Sequence, residues 1–229
     1  MKQEIHQALR AVAKPERVEK LQSFFKTGKG EYAEGDVFLG VYVPELRKLA
    51  KKYCDISLAD LQHFISSDIH EERLFALLVL VLKYKNGDNE KAIYDFYIEN
   101  IAHINNWDLI DTTAEHIVGA YLEERDKAIL YELAKSDNLW KRRIAMVSCF
   151  FYIRKNRFDT ALNIADMLVN DEHDLIHKAV GWMLREIGKR DLAAEEGFLN
   201  RHYQHMPRTM LRYAIEKFTP EKRHFYMGK

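Results

Sequence analysis

Apolar positions recur with helical spacing along almost the whole chain. Leu58, Leu61, Phe64 and Ile65 stand at i, i+3, i+6 and i+7, with Ser57 before them as a candidate N-cap. Leu74, Leu77, Leu78, Val81 and Leu82 repeat at i, i+3, i+4, i+7 and i+8. Ile144, Val147, Phe151 and Phe158 trace another face, and Ala179, Met183 and Ile187, with Leu184 opposite, a further one. No alternating run bounded by glycine turns marks a strand. Gly28, Gly30, Gly35 and Gly40 mark one long loop. Pro44 then opens a new helix, at a position where its missing N–H costs little.

An internal repeat underlies these helices. Asp68, Asp137 and Asp171 each stand eight residues before an alanine (Ala76, Ala145 and Ala179), and Asn106 stands eight before Ala114. The four starting positions are 38, 31 and 34 residues apart, the period of a two-helix repeat. The Asp or Asn is expected to cap the second helix of each pair by accepting from its free N–H groups. The alanine is expected to let that helix approach its neighbour closely. Stacked helix pairs of this kind form an all-α solenoid (an α-α superhelix) whose concave face suits an extended ligand. No linker divides the chain, so residues 1–229 read as a single helical-repeat domain. The segment from Tyr203 to Lys229, with Tyr213, Phe218, Phe225 and Tyr226, reads as helix packing and end capping.

Composition narrows the class. In 229 residues, 47% hydrophobic and 31% charged side chains exclude disorder. Cys54 and Cys149, the two cysteines, exclude a disulfide scaffold and read as reduced core residues. The longest apolar run, Leu74 to Leu82, is about half a membrane span. The amino terminus lacks the apolar core of a signal peptide. A soluble, cytoplasmic protein without membrane attachment is expected.

Basic and acidic residues balance at 35 each, but not uniformly. Up to Asn138 there are 18 basic and 24 acidic residues, and beyond it 17 and 11. The basic residues of the second part recur at helix-scale intervals: Lys141, Arg142 and Arg143; Arg154, Lys155 and Arg157; Lys178, Arg185, Lys189 and Arg190; then Arg208, Arg212, Lys217, Lys222 and Arg223. Stacked helices bearing them can line one groove and attract a polyanion. His173 with His177 and His202 with His205 share helical spacings, but neither pair has a third ligand nearby, so no metal site is expected.

One segment concentrates unusual chemistry. Behind Asn106 as N-cap, Trp107 and Asp111 stand at i and i+4 and project from one helix face. Asp108 sits in the first turn, where the helix end favours a carboxylate. The pair is either a tryptophan packed in the core beside a solvated acid or a joint functional surface. Trp182 follows Gly181, which removes bulk so that something can approach the backbone. Trp140 precedes the Lys141–Arg143 run. Aromatic faces beside arginines suit the sugars, bases and phosphates of nucleic acid.

At these residues the chain resembles the AlkD family of bacterial DNA alkylation repair glycosylases, which are built from HEAT-like helical repeats. Four stretches carry the likeness: Phe38-Leu39-Gly40-Val41 with Pro44-Glu45-Leu46-Arg47; Asn106-Trp107-Asp108 with Asp111; Ser136-Asp137-Asn138-Leu139-Trp140 with Arg142 and Arg143; and Lys178 to Glu186 around Gly181-Trp182 and Arg185. It spans about residues 38 to 218.

The resemblance implies a HEAT-like solenoid with a concave basic face for double-stranded DNA containing alkylated purines. It implies catalytic roles for Asp111, Trp107 and Trp182. A phosphate contact is implied for Arg143, with further backbone contacts from Arg185 and Arg212; Arg142 and Lys178 join them as candidate DNA-binding residues. Family members excise cationic lesions such as 3-methyladenine and 7-methylguanine in base excision repair, without metal or cofactor and without needing to flip the base. A monomer with no obligate protein partner suffices for that, in the bacterial cytoplasm and on the nucleoid when bound to DNA. The sequence departs from the family pattern at Asn106, where a second tryptophan is frequent, and in a longer loop from Thr27 to Asp36. The rival readings are a catalytically silent binder of damaged or distorted DNA on the same fold, and a helical scaffold for protein partners.

Overall fold

The computed structural model describes residues 1–228, and its elements are helical. Among the described residues there is no β-strand; Val37 and Ile69 form an isolated parallel bridge. The chain divides into two compact units, Met1–Ile117 and Val118–Lys229.

The amino-terminal unit contains α1 (Lys2–Ala11), α2 (Val18–Phe25), α3 (Val43–Lys52), α4 (Leu58–Ile65), α5 (His70–Lys85), α6 (Glu90–Glu99) and α7 (Trp107–Asp111). Helix α5 is its spine. The Leu74–Leu82 run leaves α5 no polar face over that stretch, and every residue from His70 to Val81 is buried. Helices α3, α4, α6 and α7 pack against it. Ser57 caps α4 by accepting from Asp60 N–H (3.1 Å), and Pro44 lies in the first turn of α3. Residues 26 to 42 form the long loop.

The carboxy-terminal unit contains α8 (Ala128–Ala134), α9 (Leu139–Ser148), α10 (Phe150–Ile153), α11 (Asp159–Leu168), α12 (Asp174–Gly188), α13 (Leu192–His202), α14 (Arg208–Ala214) and α15 (Pro220–Met227). Helix α12 is central, packed by α9, α11, α13 and α14. Gly181 explains the tight approach of α14. A Cβ there would lie 2.4 Å from the Met210 carbonyl oxygen and 2.5 Å from Tyr213 Cβ. The close neighbour foreseen at Gly181 is therefore a helix of the same unit. Cys149 is buried and Cys54 half-buried, both as free thiols. Phe218 and Tyr226 are buried, while Phe225 is exposed and stacks on Tyr203 (5.9 Å, 30°). Lys229 lies outside the described residues.

The repeat is present, but its acids do not cap. Ala76, Ala114, Ala145 and Ala179 are all fully buried, as close helix packing requires. Asn106 caps α7 by accepting from Trp107 N–H (2.8 Å). The three aspartates sit outside capping geometry, because each helix begins one or two residues later. Helix α5 starts after Ile69 without a side-chain cap. Helix α9 is capped by Asn138, whose Oδ1 accepts from Trp140 (2.8 Å) and Lys141 (3.2 Å). Helix α12 is capped by His173 Nδ1, which accepts from Leu175 N–H (3.1 Å). The repeated feature is a different tie. Arg73 Nη1 donates to the Ser67 carbonyl, and Arg142 Nη1 to the Ser136 carbonyl, each six residues back (2.8 and 2.9 Å).

Candidate functional site

Helix α7 is short for a local reason. Thr112 Oγ1 donates to the Asp108 carbonyl (2.7 Å) and Thr113 Oγ1 to the Leu109 carbonyl (2.5 Å). Such back-bonding competes with helix continuation. The α-helix ends at Asp111, and a π-helical turn, Glu115–Gly119, follows. Leu109 and Ile110 face the core and are fully buried, whereas Trp107, Asp108 and Asp111 are half-buried. The structure thus keeps Trp107 and Asp111 one turn apart on one short element.

The Trp107 indole rests on an aromatic stack. Phe25, at the end of α2, lies nearly parallel to it (5.3 Å, 23°), and Phe24 meets it edge-on (5.8 Å, 75°). Phe25 in turn stacks on Phe38 (5.2 Å, 18°), and His70 stacks on Phe38 (4.6 Å, 21°) and lies tilted against Phe25 (5.0 Å, 36°). Each such pair contributes about 0.5–1.5 kcal/mol beyond burial. Phe24 is 60% exposed, so this side of the stack is open to solvent.

Phe38 is held by the loop that contains it. The buried Glu71 carboxylate accepts three successive backbone N–H groups: Leu39 (2.9 Å), Gly40 (2.8 Å) and Val41 (3.1 Å). Gly40 has φ +85°, and a Cβ there would lie 2.1 Å from the Lys14 carbonyl oxygen. Arg17 donates to the Gly40 carbonyl (2.7 Å) and lies over the Tyr42 ring (3.4 Å). The Phe38-Leu39-Gly40-Val41 motif is therefore a nest of N–H groups closed around one carboxylate.

Beside this nest lies a buried ionic chain. His70 Nδ1 meets Asp36 Oδ2 (3.1 Å), and His70 Nε2 meets Asp108 Oδ2 (2.8 Å). Arg73 Nη2 donates to Asp36 Oδ1 (2.7 Å). Burial by itself pushes the His70 imidazole down, but the Asp108 charge and the hydrogen bonds of Asp108 and Asp36 raise it to about 9, against repulsion from Arg73. Burial pushes the Asp36 carboxyl up, yet His70 and Arg73 together hold it below its ordinary value. Of the two carboxylates in the Trp107–Asp111 helix, Asp108 is thus committed to His70. The structural role foreseen for Asp108 at the helix end is carried by an ion pair. Asp111 lies near the buried Tyr97 hydroxyl, which meets Thr113 Oγ1 (3.2 Å). Burial first, and then the Asp111 charge, push the Tyr97 phenol well up, so it remains protonated.

In the carboxy-terminal unit the basic candidates occupy α9, α12 and α14. Arg143 on α9 is buried, and its Nη1 donates to the Leu175 carbonyl of α12 (2.5 Å). Arg142 points elsewhere. Its Nε pairs with Asp171 Oδ2 (2.6 Å), and its Nη1 donates to the carbonyls of Ser136 and Asp137 (both 2.9 Å). Lys178 pairs with Asp174 one turn earlier (2.7 Å), and Arg185 pairs with Glu216. Arg212 is exposed and donates to Thr209 Oγ1 (3.4 Å). Trp182 is half-buried and meets Phe150 (5.4 Å, 60°), whose ring also carries Arg154 (4.5 Å). Trp140, grouped with the other tryptophans by sequence, is buried instead.

Sequence reasoning missed His70, Asp36, Phe24, Phe25 and Phe150. The Phe24-Phe25 pair next to the glycine loop was a usable signal for an aromatic surface. His70 offered none, since its partners lie 34 and 38 residues away.

The model of the family described as DNA alkylation repair enzyme matches residues 5–218 of this chain. Among solved structures, a predicted DNA alkylation repair enzyme from Enterococcus faecalis is similar with a TM-score of 0.70 at 18% identity, over 91% of this chain and 97% of that one. AlkD2 from Streptococcus mutans is similar with a TM-score of 0.57 at 19% identity, over 90% and 98%. The protein smu.31 from Streptococcus mutans UA159 gives 0.54 at 20% identity, over 95% and 98%. No curated protein sequence matches. At these identities the structures establish a common helical-repeat fold, while the family model spans nearly the whole sequence. The chain belongs to the family of DNA alkylation repair enzymes and has its role in the repair of alkylated DNA.

Proposed function

We propose that the protein is a DNA glycosylase that hydrolyses the N-glycosidic bond of cationic alkylated purines, such as 3-methyladenine and 7-methylguanine, in double-stranded DNA. One observation carries this reading: Trp107 and Asp111 stand one turn apart on α7, while Asp108 between them is taken up by His70. The helix thereby carries an aromatic ring and a carboxylate one turn apart.

As the base leaves, the bond between C1′ and the purine nitrogen breaks and its electron pair neutralises the cationic purine. Positive charge passes to the deoxyribose, water adds at C1′, and the water proton is released. Asp111 stabilises the oxocarbenium-like state more than the ground state, which is what lowers a barrier. A carboxylate about 4 Å from that charge, at an effective dielectric of about 20, contributes about 4 kcal/mol. That is about a thousandfold in rate. Trp107 offers a π face to the cationic sugar and lesion, about 0.5–2 kcal/mol. Arg185, Arg212 and Lys178 hold the DNA backbone. Because the lesion is already a good leaving group, no protonating acid enters the scheme; the protein is proposed to hold the sugar and backbone without flipping the base.

The test is single-turnover release of free base from a duplex with one 7-methylguanine, comparing wild type with Asp111→Asn. The expected result is release by wild type, about a thousandfold slower release by the variant, and duplex affinity within a few-fold. Equal release by both removes Asp111 from the mechanism. Binding without release by wild type overturns the glycosylase reading in favour of a silent binder of damaged DNA.

A further inference from the structure

We propose that His70 is a positioning residue for α7: an imidazolium clamped between Asp36 and Asp108 that locks Trp107 in place and with it the helix bearing Asp111. The structural claim stands on geometry; its consequence for base release rests on the function proposed above.

Each ring nitrogen of His70 faces a carboxylate oxygen, at 3.1 and 2.8 Å. Ionised carboxylates only accept, and a neutral imidazole has one N–H. Satisfying both contacts takes both ring protons. Asp36 cannot readily supply a proton of its own, because Arg73 Nη2 holds its other oxygen at 2.7 Å. In this cluster His70, Asp36 and Arg73 are buried, His70 only 1% exposed, and Asp108 is half-buried. Two carboxylates, from the long loop and from α7, and two cations, both from α5, balance within it.

The clamp reaches α7 by two routes. Asp108 is joined to His70 directly, and its Oδ1 is buried without a hydrogen-bond partner, so the imidazolium is what holds that carboxylate. The second route is through rings: Phe25 touches both the His70 imidazole (5.0 Å) and the Trp107 indole (5.3 Å). A five-residue helix has little stability of its own. Its orientation is set by what it is tied to. Loss of the His70 proton would leave one carboxylate facing a lone pair and loosen both routes.

The sign of the pH dependence follows. The His70 imidazole lies above its ordinary value of 6.5, at about 9. Its contribution is fully present below the ordinary value and is lost as pH rises through about 9. Asp36, Asp108 and Arg73 are the charged groups that face the ring and set that midpoint.

The experiment uses full-length protein labelled with 15N in histidine and tryptophan, titrated from about pH 7 to 10, a range spanning the ordinary and raised histidine values. Wild type, Asp36→Asn and His70→Gln are compared, the Trp107 indole signal being assigned with Trp107→Phe. Both His70 nitrogens are expected to be protonated at about pH 8, where an ordinary histidine is neutral. The Trp107 signal is expected to move with the same midpoint as the ring, and Asp36→Asn to lower both midpoints by about one unit. In parallel, His70→Gln is expected to slow single-turnover base release at least about tenfold with duplex affinity little changed, after subtraction of enzyme-free release. A neutral His70 at about pH 8, a Trp107 signal indifferent to the titration, or an unchanged release rate in His70→Gln overturns the proposal. If wild type releases no base at all, the glycosylase reading fails separately, and the ring and indole titrations still decide whether His70 positions α7.

Discussion

Replacing Glu71 by glutamine tests whether the amino-terminal loop is held by one carboxylate. Oε1 accepts from Gly40 (2.8 Å) and Val41 (3.1 Å), and Oε2 accepts from Leu39 (2.9 Å). A glutamine of the same shape keeps one oxygen, which can serve the Gly40 and Val41 donors without the charge. Its amide nitrogen then faces the Leu39 N–H, donor against donor. Two hydrogen bonds drop from charge-assisted to neutral, about 0.5–1 kcal/mol each, and one N–H is orphaned at about 1–3 kcal/mol. The sum is about 3 kcal/mol, or a fall in Tm of about 6–12 °C for a chain of this size. Urea denaturation followed by circular dichroism measures the first quantity and thermal melting the second. Phe38 is carried by the same loop, so Glu71→Gln is also expected to disturb the Phe38–Phe25 stack under Trp107. A loss below about 1 kcal/mol, with the Trp107 environment unchanged, would mean that the three N–H groups are satisfied in some other way and that the nest is incidental.

Three further outcomes are expected. Arg212→Ala should lower the slope of log affinity against log salt for duplex DNA by about 0.9, the value for one lost phosphate contact, with stability little changed. Arg142→Ala should leave that slope alone and cost about 1–3 kcal/mol of stability, since its donors go to Asp171, Ser136 and Asp137; the opposite assignment of the two effects would refute the distinction. Gly181→Ala should cost about 1–3 kcal/mol in chemical denaturation, because its methyl would meet the Met210 carbonyl at 2.4 Å. An unchanged midpoint would show that α14 gives way freely.

What could be read in the sequence follows the range of the forces involved. Leu74 to Leu82 announced a buried helix because every turn of it is apolar, and α5 is that helix. Trp107 and Asp111 were legible as a pair because helix geometry alone sets their neighbourhood. His70 was not, because a histidine becomes an ion-pair centre only when Asp36 and Asp108, on different elements, are brought to it. The length of α7 has a local cause that composition hides. Thr112 and Thr113 bond back to carbonyls within the helix and end it at Asp111.

The aspartate repeat shows how a correct period can carry a wrong assignment. Spacing between repeats is unchanged if every helix start moves by one residue, so period cannot tell an N-cap from the residue before it. Geometry can. At Ser67-Asp68 and Ser136-Asp137 the shared device is an arginine reaching six residues back to the serine carbonyl. The same argument separates the consecutive basic residues of α9. Successive helical residues are turned about 100° from one another, so Arg142 and Arg143 leave α9 in different directions. Arg142 turns to Asp171 and the Ser136 loop, whereas Arg143 turns to α12 at Leu175. A run that reads in sequence as one patch of charge is, on the helix, a strut for the loop and a link toward the helix that carries Trp182.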